Sequence, residues 1–313
     1  VKIITDLRPR LVGFSLHYQQ RSASLSMAKL FKQALPGIVI IFGGADCLGI
    51  MGKEIIKNFP YVDAAISGEG ESVFPEIVRR VFQNKSLFGI DGVSVKGGTD
   101  LKQVCINDPS VRALATEKMD DLPFPVYDDY YKQLEASGIA ASWNKRMVPF
   151  ETSRGCWWGE KKQCRFCGFI PEQIAYRTKS TQRVIKELKW IADRYKPTLI
   201  VMVDSILNPS HFDDLFPALI SNGLRFPIFW ETRISTKKSH VQTMRDAGIC
   251  FIQAGIESLS SPILKLMRKG TTAIQNIQFL KWCREYGINV YWNFLCGFPG
   301  ETAEEYYRMA DLI

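Results

Sequence analysis

The sequence predicts an α/β protein in which a doubly wound unit is followed by a partial barrel. The chain has 313 residues, enough for about two domains of roughly 100 to 200 residues each. Short apolar runs alternate with amphipathic stretches along most of the sequence, as expected for parallel strands covered by helices. Hydrophobic residues make up 46% and charged residues 23%, which excludes the disordered, collagen-like and membrane-embedded classes.

The first unit is predicted over residues 1–100 and is Rossmann-like. Its strands are apolar without alternation, which indicates burial on both faces, and its helices carry one apolar face. The predicted strands lie at 11–16, 38–44 and 63–71, and the predicted helices at 24–37, 52–60 and 74–83. The sequence opens with Val rather than Met and enters this pattern directly, so we expect the first strands of the unit to precede it.

A linker is predicted over residues 101–145. This region has no sustained periodicity, and it contains the run LPFPVYDDYY (122–131), whose prolines disfavour a helix at the residues before them. We expect it to form a connector that lies on the surface of a neighbouring unit.

A second α/β series is predicted over residues 146–313. Five strand and helix pairs are readable in it, and we interpret the series as a partial TIM-type (β/α)6 barrel. The strands are expected at 147–156, 198–207, 226–235, 249–258 and 288–301, and the helices at about 181–195, 210–221, 237–247 and 274–286. In such barrels ligands bind at the carboxyl ends of the strands. The sequence stops inside an amphipathic helix, so we expect the barrel to continue beyond it.

Three of the eight cysteines lie close together in the sequence. Cys156, Cys164 and Cys167 are separated by seven and two residues, just after the first barrel strand. Eight cysteines are too few for a secreted disulfide scaffold of this length, and such a group indicates a metal or redox site. Because three thiolates leave one iron of a four-iron cluster open for a ligand, the pattern favours chemistry over a structural role.

Two alternatives remain open for these cysteines. A zinc ion completed by a distant ligand, for which His211 is the candidate, would also use three thiolates. The three side chains could also be buried side by side through coincidence. The five remaining cysteines are scattered, and we interpret them as small buried side chains: Cys47, Cys105, Cys250, Cys283 and Cys296.

Six stretches of the second unit, taken together, carry a family resemblance. They are ETSRGCWWGEKKQCRFCG (151–168), YRTKS (176–180), VDSIL (203–207), QAGIESLS (253–260), LMRKG (266–270) and WNFLCGFPGE (292–301). In this order and spacing they resemble radical S-adenosylmethionine (SAM) enzymes. The CX7CX2C spacing resembles a subgroup that matures ribosomally synthesised and post-translationally modified peptides (RiPPs), because most radical SAM enzymes have three residues between the first two cysteines.

The resemblance implies two cofactors for the barrel. The three cysteines would hold a 4Fe-4S cluster whose open iron takes the amino and carboxylate groups of SAM. Reductive cleavage of SAM would then yield a 5′-deoxyadenosyl radical that abstracts a hydrogen atom from the substrate. The protein would supply binding, orientation and exclusion of solvent.

The resemblance also implies contacts to SAM from five further residues. Phe166, between two cluster ligands, would lie near the adenine, although simple packing explains it equally well. Asp204, Glu231, Arg233 and Glu257 each occur at the end of a predicted strand, where they would meet the amino acid and ribose parts of SAM. Glu257 is the strongest candidate, since a carboxylate accepts hydrogen bonds from two ribose hydroxyls. The alternative for all four is an ion-paired or solvated rim.

Trp157 and Trp158 occupy the long segment between the first two cluster cysteines. Two indoles there would shield the cluster and tune its potential through burial. Ordinary core packing is the alternative for both residues.

Residues of the first unit resemble the second half of a cobalamin-binding fold. Ser15 follows one strand, Gly43 and Gly44 follow the next, and Gly68 opens a GEGE loop after the third. Glycines permit close approach of the backbone to a nucleotide tail, but a Rossmann-like turn without cobalamin has the same pattern. The loop with the cobalt ligand would precede the sequence, and His17 is misplaced for that role.

The first hypothesis for the function is a cytoplasmic radical SAM enzyme that acts on a precursor peptide. Cobalamin-dependent methylation of an unactivated carbon is favoured, with a flavodoxin or ferredoxin as electron donor. Peptide cyclisation or carbon-skeleton rearrangement without methyl transfer is the second hypothesis. A metal-bearing nucleic-acid-binding module is the third, although the net charge of +8 suits an acidic leader peptide equally well. No apolar run approaches the roughly 18 to 20 residues of a membrane span.

Overall fold

The computed structural model describes residues 2–96, 104–106, 116, 118–138, 146–169, 171–234 and 237–312. It divides the chain into two compact units, Val1–Glu117 and Lys118–Ile313. Each unit contains its own sheet and its own buried apolar residues. The predicted α/β class is confirmed, and the two units are described separately.

The first unit is a five-stranded sheet with helices between its parallel strands. Its elements are α1 (Lys2–Leu7), β1 (Leu11–Ser15), α2 (Arg21–Ala34), β2 (Val39–Gly43), α3 (Ile50–Asn58), β3 (Ala64–Ile66), α4 (Phe74–Phe82), β4 (Val93–Lys96) and β5 (Val104–Ile106). The strand order is β1-β2-β3-β4-β5. Strands β1 to β3 are parallel, whereas β4 and β5 pair antiparallel.

The antiparallel strands of this sheet are not predicted by the sequence pattern. No predicted element coincides with β4, and β5 lies inside the predicted linker of residues 101–145. Both strands are only three or four residues long, too short for a period-two pattern to stand out from a loop. The sheet is therefore mixed, and its parallel part is the part that the apolar runs predicted.

Burial in the first unit follows the alternation of strand side chains. In β2, Ile40 and Phe42 pack in one apolar cluster, while Ile41 between them packs in the other. Successive side chains of a strand point to opposite faces, so both faces of the sheet are covered. This explains why the strand reads as a continuous apolar run in the sequence.

The second unit is built around a five-stranded parallel sheet. Its elements are α5 (Asp128–Ala136), β6 (Met147–Phe150), β7 (Ser153–Arg154), α6 (Trp157–Lys162), α7 (Pro171–Ile174), β8 (Arg177–Thr178), α8 (Thr181–Tyr195), β9 (Leu199–Met202), α9 (Leu215–Ser221), β10 (Ile228–Thr232), α10 (Lys238–Asp246), β11 (Ile249–Ala254), α11 (Ser261–Leu266), α12 (Ala273–Glu285), β12 (Asn289–Tyr291) and α13 (Ala303–Ala310). The order is β6-β9-β10-β11-β12, and β7 pairs antiparallel with β8. The sixth strand of the predicted (β/α)6 arrangement does not occur among the described residues of this unit.

Part of the predicted linker belongs to the second unit. Helix α5 begins after the prolines of the LPFPVYDDYY run, with Asp128 and Asp129 in its first turn, where negative charge is favourable. Tyr131 is buried in the core, and its hydroxyl donates to the carbonyl of Met147 at 2.9 Å. Residues 118–138 therefore belong to the second unit, and Tyr131 anchors them to its core.

A buried ion network ties helix α8 to this segment. Glu187 is fully buried, and its two carboxylate oxygens pair with Lys179 Nζ at 2.7 Å and Arg183 Nε at 2.5 Å. Arg183 also donates to the backbone carbonyls of Asp120 and Leu122. One buried anion thus aligns the YRTKS segment, helix α8 and residues 118–122.

None of the described helices is long and apolar enough to cross a membrane.

We expect Glu187→Gln to lower the free energy of unfolding by about 3 to 5 kcal/mol, because it leaves Lys179 buried without a counter-charge. Urea denaturation of the full chain measures this loss. As a control, Glu285→Gln breaks the exposed pair of Lys238 and Glu285 and should leave the urea midpoint almost unchanged. Equal effects of the two substitutions would contradict the importance of the buried network.

Candidate active site

A cavity of about 330 Å³ lies at the carboxyl ends of strands β9, β10 and β11. Parallel strands end at the same edge of a sheet, so the residues that follow them share one opening. All eight residues that the sequence analysis proposed for the cluster and SAM line this cavity: Cys156, Cys164, Cys167, Phe166, Asp204, Glu231, Arg233 and Glu257. The structure therefore brings the candidate residues together, although they span about one hundred positions of the sequence.

The three cysteines reach the cavity from the segment after β7. Cys156 is the N-cap of helix α6, and its Sγ accepts a hydrogen bond from the amide of Gly159 at 3.3 Å. The amide of Cys156 donates to the carbonyl of Ile174 at 2.9 Å. Cys164 and Cys167 share a tight turn in which the amide of Cys167 donates to the carbonyl of Cys164 at 3.1 Å.

The zinc alternative requires His211 to lie with the three thiols. In the described part of the chain, no three His, Cys, Asp or Glu side chains are grouped closely enough to hold one metal ion. His211 does not line the cavity; its ring nitrogens lie 3.4 Å from Thr152 Oγ1 and 3.4 Å from Asp214 Oδ1. The zinc arrangement completed by His211 is therefore not formed.

Asp204 is a buried carboxylate that organises the segment leading to Cys156. Its Oδ1 accepts the amides of Thr152 at 2.7 Å and Ser153 at 2.9 Å, and its Oδ2 accepts the Thr152 hydroxyl. Burial raises the pKa of Asp204 to about 6, while these hydrogen bonds act in the opposite direction. Both oxygens are engaged by the protein, so the contact of Asp204 with SAM stays a prediction.

Glu257 forms an ion pair that the sequence analysis did not foresee. Its Oε1 lies 2.9 Å from Lys269 Nζ, and both side chains are largely buried. The Lys269 ammonium also lies over the Phe166 ring, 5.4 Å from its centre. Glu257 adopts a left-handed backbone with φ of 60°, which is uncommon for a residue other than glycine and is frequent at functional sites.

Lys269 is thus a cavity residue that sequence reasoning missed. The LMRKG stretch was part of the resemblance, but none of its side chains was singled out. The sequence offers only a local signal, because a lysine between an apolar helix end and a glycine is placed at a turn. The sequence alone does not show that this turn faces the cysteines.

Glu231 and Arg233 enter the cavity from the end of β10. Burial raises the pKa of the Glu231 carboxyl, and no described residue forms a side-chain ion pair with it. Burial lowers the pKa of Arg233. The Arg233 guanidinium donates to the carbonyl of Lys269 at 2.7 Å and stacks over the Trp158 ring, 3.8 Å from its centre.

The two tryptophans between the cluster cysteines have different roles. Trp158 lines the cavity with the cysteines. Trp157 faces a separate, smaller cavity, and its indole nitrogen donates to the carbonyl of Leu207 at 2.9 Å. Gly270 is required beside Trp158, because its φ is 74° and a Cβ there would lie 2.5 Å from the Trp158 ring. Only one of the two indoles is therefore in a position to shield the cysteines.

The remaining cysteines do not join this site. Cys47 and Cys283 are buried, as expected, and burial raises the pKa of each thiol to about 12. Cys250 is half-buried, and the expectation of burial is wrong for Cys296, which is exposed because it lies in the loop after β12. The side chain of Cys105 lies outside the described residues.

The cobalamin candidates of the first unit gather at one edge of its sheet. Ser15 and Gly43 are register partners at the carboxyl ends of β1 and β2. Gly44 has a φ of 92°, and a Cβ there would lie 2.5 Å from the carbonyl oxygen of Leu16. Gly68 follows β3 with a φ of 113°. The three parallel strands thus end in turns that place little side-chain bulk at this edge.

A family model for the radical SAM superfamily matches residues 150–313. The match covers about half of the chain and includes every residue that lines the cavity. The chain belongs to the radical SAM superfamily. The cofactors of the superfamily are a 4Fe-4S cluster and SAM.

Curated relatives extend the similarity into the first unit. An uncharacterized methyltransferase from Pyrococcus horikoshii is 30% identical, over 97% of this chain and 64% of the relative. The hopanoid C-3 methylase of Methylococcus capsulatus is 24% identical, over 92% of this chain and 53% of the relative. The chain spans roughly half to two thirds of the length of these relatives.

Solved structures show the same fold over nearly the whole chain. The cobalamin-dependent SAM radical enzyme OxsB, with aqua-cobalamin and SAM bound, aligns with a TM-score of 0.77 at 19% identity. The alignment covers 99% of this chain and 44% of the OxsB chain. The radical SAM methyltransferase TsrM from Kitasatospora setae, with tryptophan and a SAM analogue bound, aligns with a TM-score of 0.73 at 16% identity. The alignment covers 99% of this chain and 62% of the TsrM chain.

We expect the buried Asp204 to make stability depend on pH in a defined direction. Its pKa in the folded protein is above its ordinary value of 3.8, so the folded chain holds this proton more tightly than the unfolded chain. The stability contribution is therefore present at low pH and is lost as the pH rises through about 6. Relative to Asp204→Asn, the free energy of unfolding of the wild type should fall by about 2 to 3 kcal/mol between about pH 4 and 7. Chemical denaturation of both proteins at several pH values measures this change. If the free energy of unfolding of the wild type relative to Asp204→Asn stays constant or rises with pH, the raised pKa of Asp204 is contradicted.

Proposed function

We propose that this chain forms the cofactor-binding part of a cobalamin-dependent radical SAM methyltransferase. The observation that carries the proposal is the single cavity of the second unit, where three thiols and five candidate SAM-binding side chains meet. Membership of the radical SAM superfamily and similarity to methyltransferases along the chain support it. A partial (β/α)6 barrel as the architecture of the second unit is part of the same proposal.

Cys156, Cys164 and Cys167 are the proposed ligands of the 4Fe-4S cluster. The donor set fits, because three thiols line one cavity and no fourth cysteine lies there among the described residues. When bound, the cluster supplies the electron that cleaves SAM to methionine and a 5′-deoxyadenosyl radical. The protein contributes the orientation of the thiols, through the N-cap position of Cys156 and the tight turn of Cys164 and Cys167.

The other cavity residues are proposed to bind SAM. Arg233 and Lys269 carry positive charge that attracts a carboxylate. Glu257 and Glu231 offer acceptor oxygens to the amino group or the ribose hydroxyls. Phe166 offers an apolar face to the adenine. Since Lys269 already pairs with Glu257 at 2.9 Å, binding of SAM at Glu257 would require the lysine to share or leave that carboxylate.

Cobalamin is proposed to bind at the sheet edge of the first unit formed by Ser15, Gly43, Gly44 and Gly68. These residues fit a nucleotide tail because the turns are glycine-rich and Ser15 is exposed at the end of β1. When bound, cobalamin supplies the methyl group that is transferred. The protein contributes close approach of its backbone, which side chains at the glycine positions would prevent.

The proposed substrate is a precursor peptide, methylated at an unactivated carbon. The CX7CX2C spacing, with its resemblance to peptide-maturing enzymes, supports this choice, and so does the basic net charge of +8, which suits an acidic leader segment. A flavodoxin or ferredoxin is the proposed electron donor. Peptide cyclisation or rearrangement without methyl transfer is the second candidate reaction, since the same cavity would serve it.

We expect Cys164→Ser to abolish both iron binding and SAM cleavage in anaerobically reconstituted full-length protein. The wild type should bind about four irons per chain and release 5′-deoxyadenosine under reducing conditions. Cys250→Ser is the matched control, because Cys250 is half-buried at the start of β11, at the opposite end of the strand from the cavity. A wild type that binds only zinc, or a Cys164→Ser variant that keeps its iron, would overturn the cluster assignment.

We expect full-length protein to retain cobalamin, and Ser15→Tyr to lose most of it, because a bulky side chain at the end of β1 would block the nucleotide tail. Visible absorption of the purified protein measures retention. Gly37→Tyr is the control, since Gly37 lies before the amino end of β2, at the opposite end of that strand from Gly43, and has open space around it.

A co-expressed precursor peptide should gain the mass of one methylene group. A peptide that loses the mass of two hydrogen atoms through a new cross-link, or that rearranges without a change of mass, in protein without cobalamin, would favour the second candidate reaction.

A further inference from the structure

Trp158 carries a buried donor that the protein leaves unused. Its indole Nε1 is inaccessible to solvent and has no hydrogen-bond partner of normal geometry among the described residues. Buried polar groups are nearly always paired, so an orphaned donor requires an explanation. The neighbouring Trp157 has no such vacancy, because its indole nitrogen donates to the carbonyl of Leu207 at 2.9 Å.

This donor belongs to a side chain that lines the cavity of the three thiols. Trp158 shares that cavity with Cys156, Cys164 and Cys167. None of the described residues accepts a hydrogen bond from the indole N–H, so a sulfur of the bound cluster is the acceptor that this cavity leaves for it.

The position of the indole is fixed on three sides. The Arg233 guanidinium covers its face at 3.8 Å, and Arg233 is itself held by the carbonyl of Lys269 at 2.7 Å. Gly270 lies against the benzene edge of the ring, where a Cβ would be only 2.5 Å away. The Trp157 ring packs edge-on against it, with 6.2 Å between the two ring centres. An indole restrained in this way keeps its N–H in one direction without help from a hydrogen bond.

A donor beside a cluster ligand has a defined electrostatic effect. Reduction of a 4Fe-4S cluster adds negative charge that is shared with the cysteine sulfurs. Hydrogen bonds to those sulfurs and nearby cations stabilise the added charge and therefore raise the reduction potential. Arg233, Lys269 and Trp158 line the cavity together with the three thiols, and Cys156 receives the backbone amide of Gly159.

We propose that Trp158 is a redox-tuning residue whose indole N–H donates to a sulfur of the cluster bound at the three cysteines and raises its reduction potential. Arg233 is a positioning residue that holds the indole in place. This inference rests on the proposed function, because it requires a cluster at the three cysteines. It assigns the long CX7C segment a purpose, since that segment carries the tryptophan to the cluster.

The test is the midpoint potential of the cluster in full-length protein, followed by electron paramagnetic resonance during redox titration. Trp158→Phe should lower the equilibrium constant for reduction about threefold to tenfold, the upper figure corresponding to about 59 mV for a one-electron couple. Trp157→Phe makes the same chemical change one residue away and should leave the potential unchanged. Equal potentials in Trp158→Phe and wild type, at matched iron content, would overturn the proposal.

A measurement on intact protein covers the case in which Trp158→Phe fails to assemble. Wild type labelled with ¹⁵N in its indoles should show a ¹⁵N coupling to the reduced cluster in pulsed electron paramagnetic resonance. The coupling should persist in Trp157→Phe and weaken in Gly270→Ala, whose new methyl group displaces the ring. If the wild type contains the cluster but shows no such coupling, the hydrogen bond from Trp158 is refuted, whereas the proposed function is not. Wild type without any cluster would instead refute the proposed function.

Discussion

The buried carboxylate of Asp204 is the constraint on which the candidate active site depends. A carboxylate in the interior is costly unless its oxygens are hydrogen-bonded, and here two backbone amides and one hydroxyl of Thr152 and Ser153 satisfy it. Asp204 follows β9, while Thr152 and Ser153 follow the neighbouring β6. The interaction therefore joins two strand ends at the place where the chain departs towards Cys156. The carbonyl of Thr152 also accepts the amide of Lys179 at 2.8 Å, so the chain returning from the cysteines is anchored to the same point.

The opposite wall of the cavity depends on Lys269 in a comparable way. Its ammonium pairs with Glu257 and lies over Phe166, and its carbonyl accepts the Arg233 guanidinium. The amide of Arg165, within the cysteine turn, donates to the carbonyl of Met267 at 3.0 Å. The LMRKG segment thus connects the ends of β10 and β11 with the cysteines. The two walls together explain how thiols from one loop and charged side chains from three strands face a common volume.

The sequence predicted the parallel strands and the cavity residues for a physical reason. Buried parallel strands have a strong apolar signature, and their carboxyl ends coincide in space, so residues such as Glu231 and Glu257 were placed correctly relative to each other. The sequence did not reveal the short antiparallel strands β4 and β5, because three or four residues carry too little pattern. It also did not reveal that Asp204 is occupied by Thr152 and Ser153, or that Lys269 pairs with Glu257. Both contacts depend on tertiary proximity, which one-dimensional patterns do not encode.

The central claim is that three thiolates hold a four-iron cluster with one iron open to the cavity that Glu257 and Lys269 line. Mössbauer spectroscopy of the ⁵⁷Fe-loaded full-length protein, recorded with and without SAM, tests it most directly. We expect SAM to change the signal of one iron in four and to leave the other three unaffected. Four irons that stay equivalent in the presence of SAM, or a cluster that forms without the three cysteines, would contradict it.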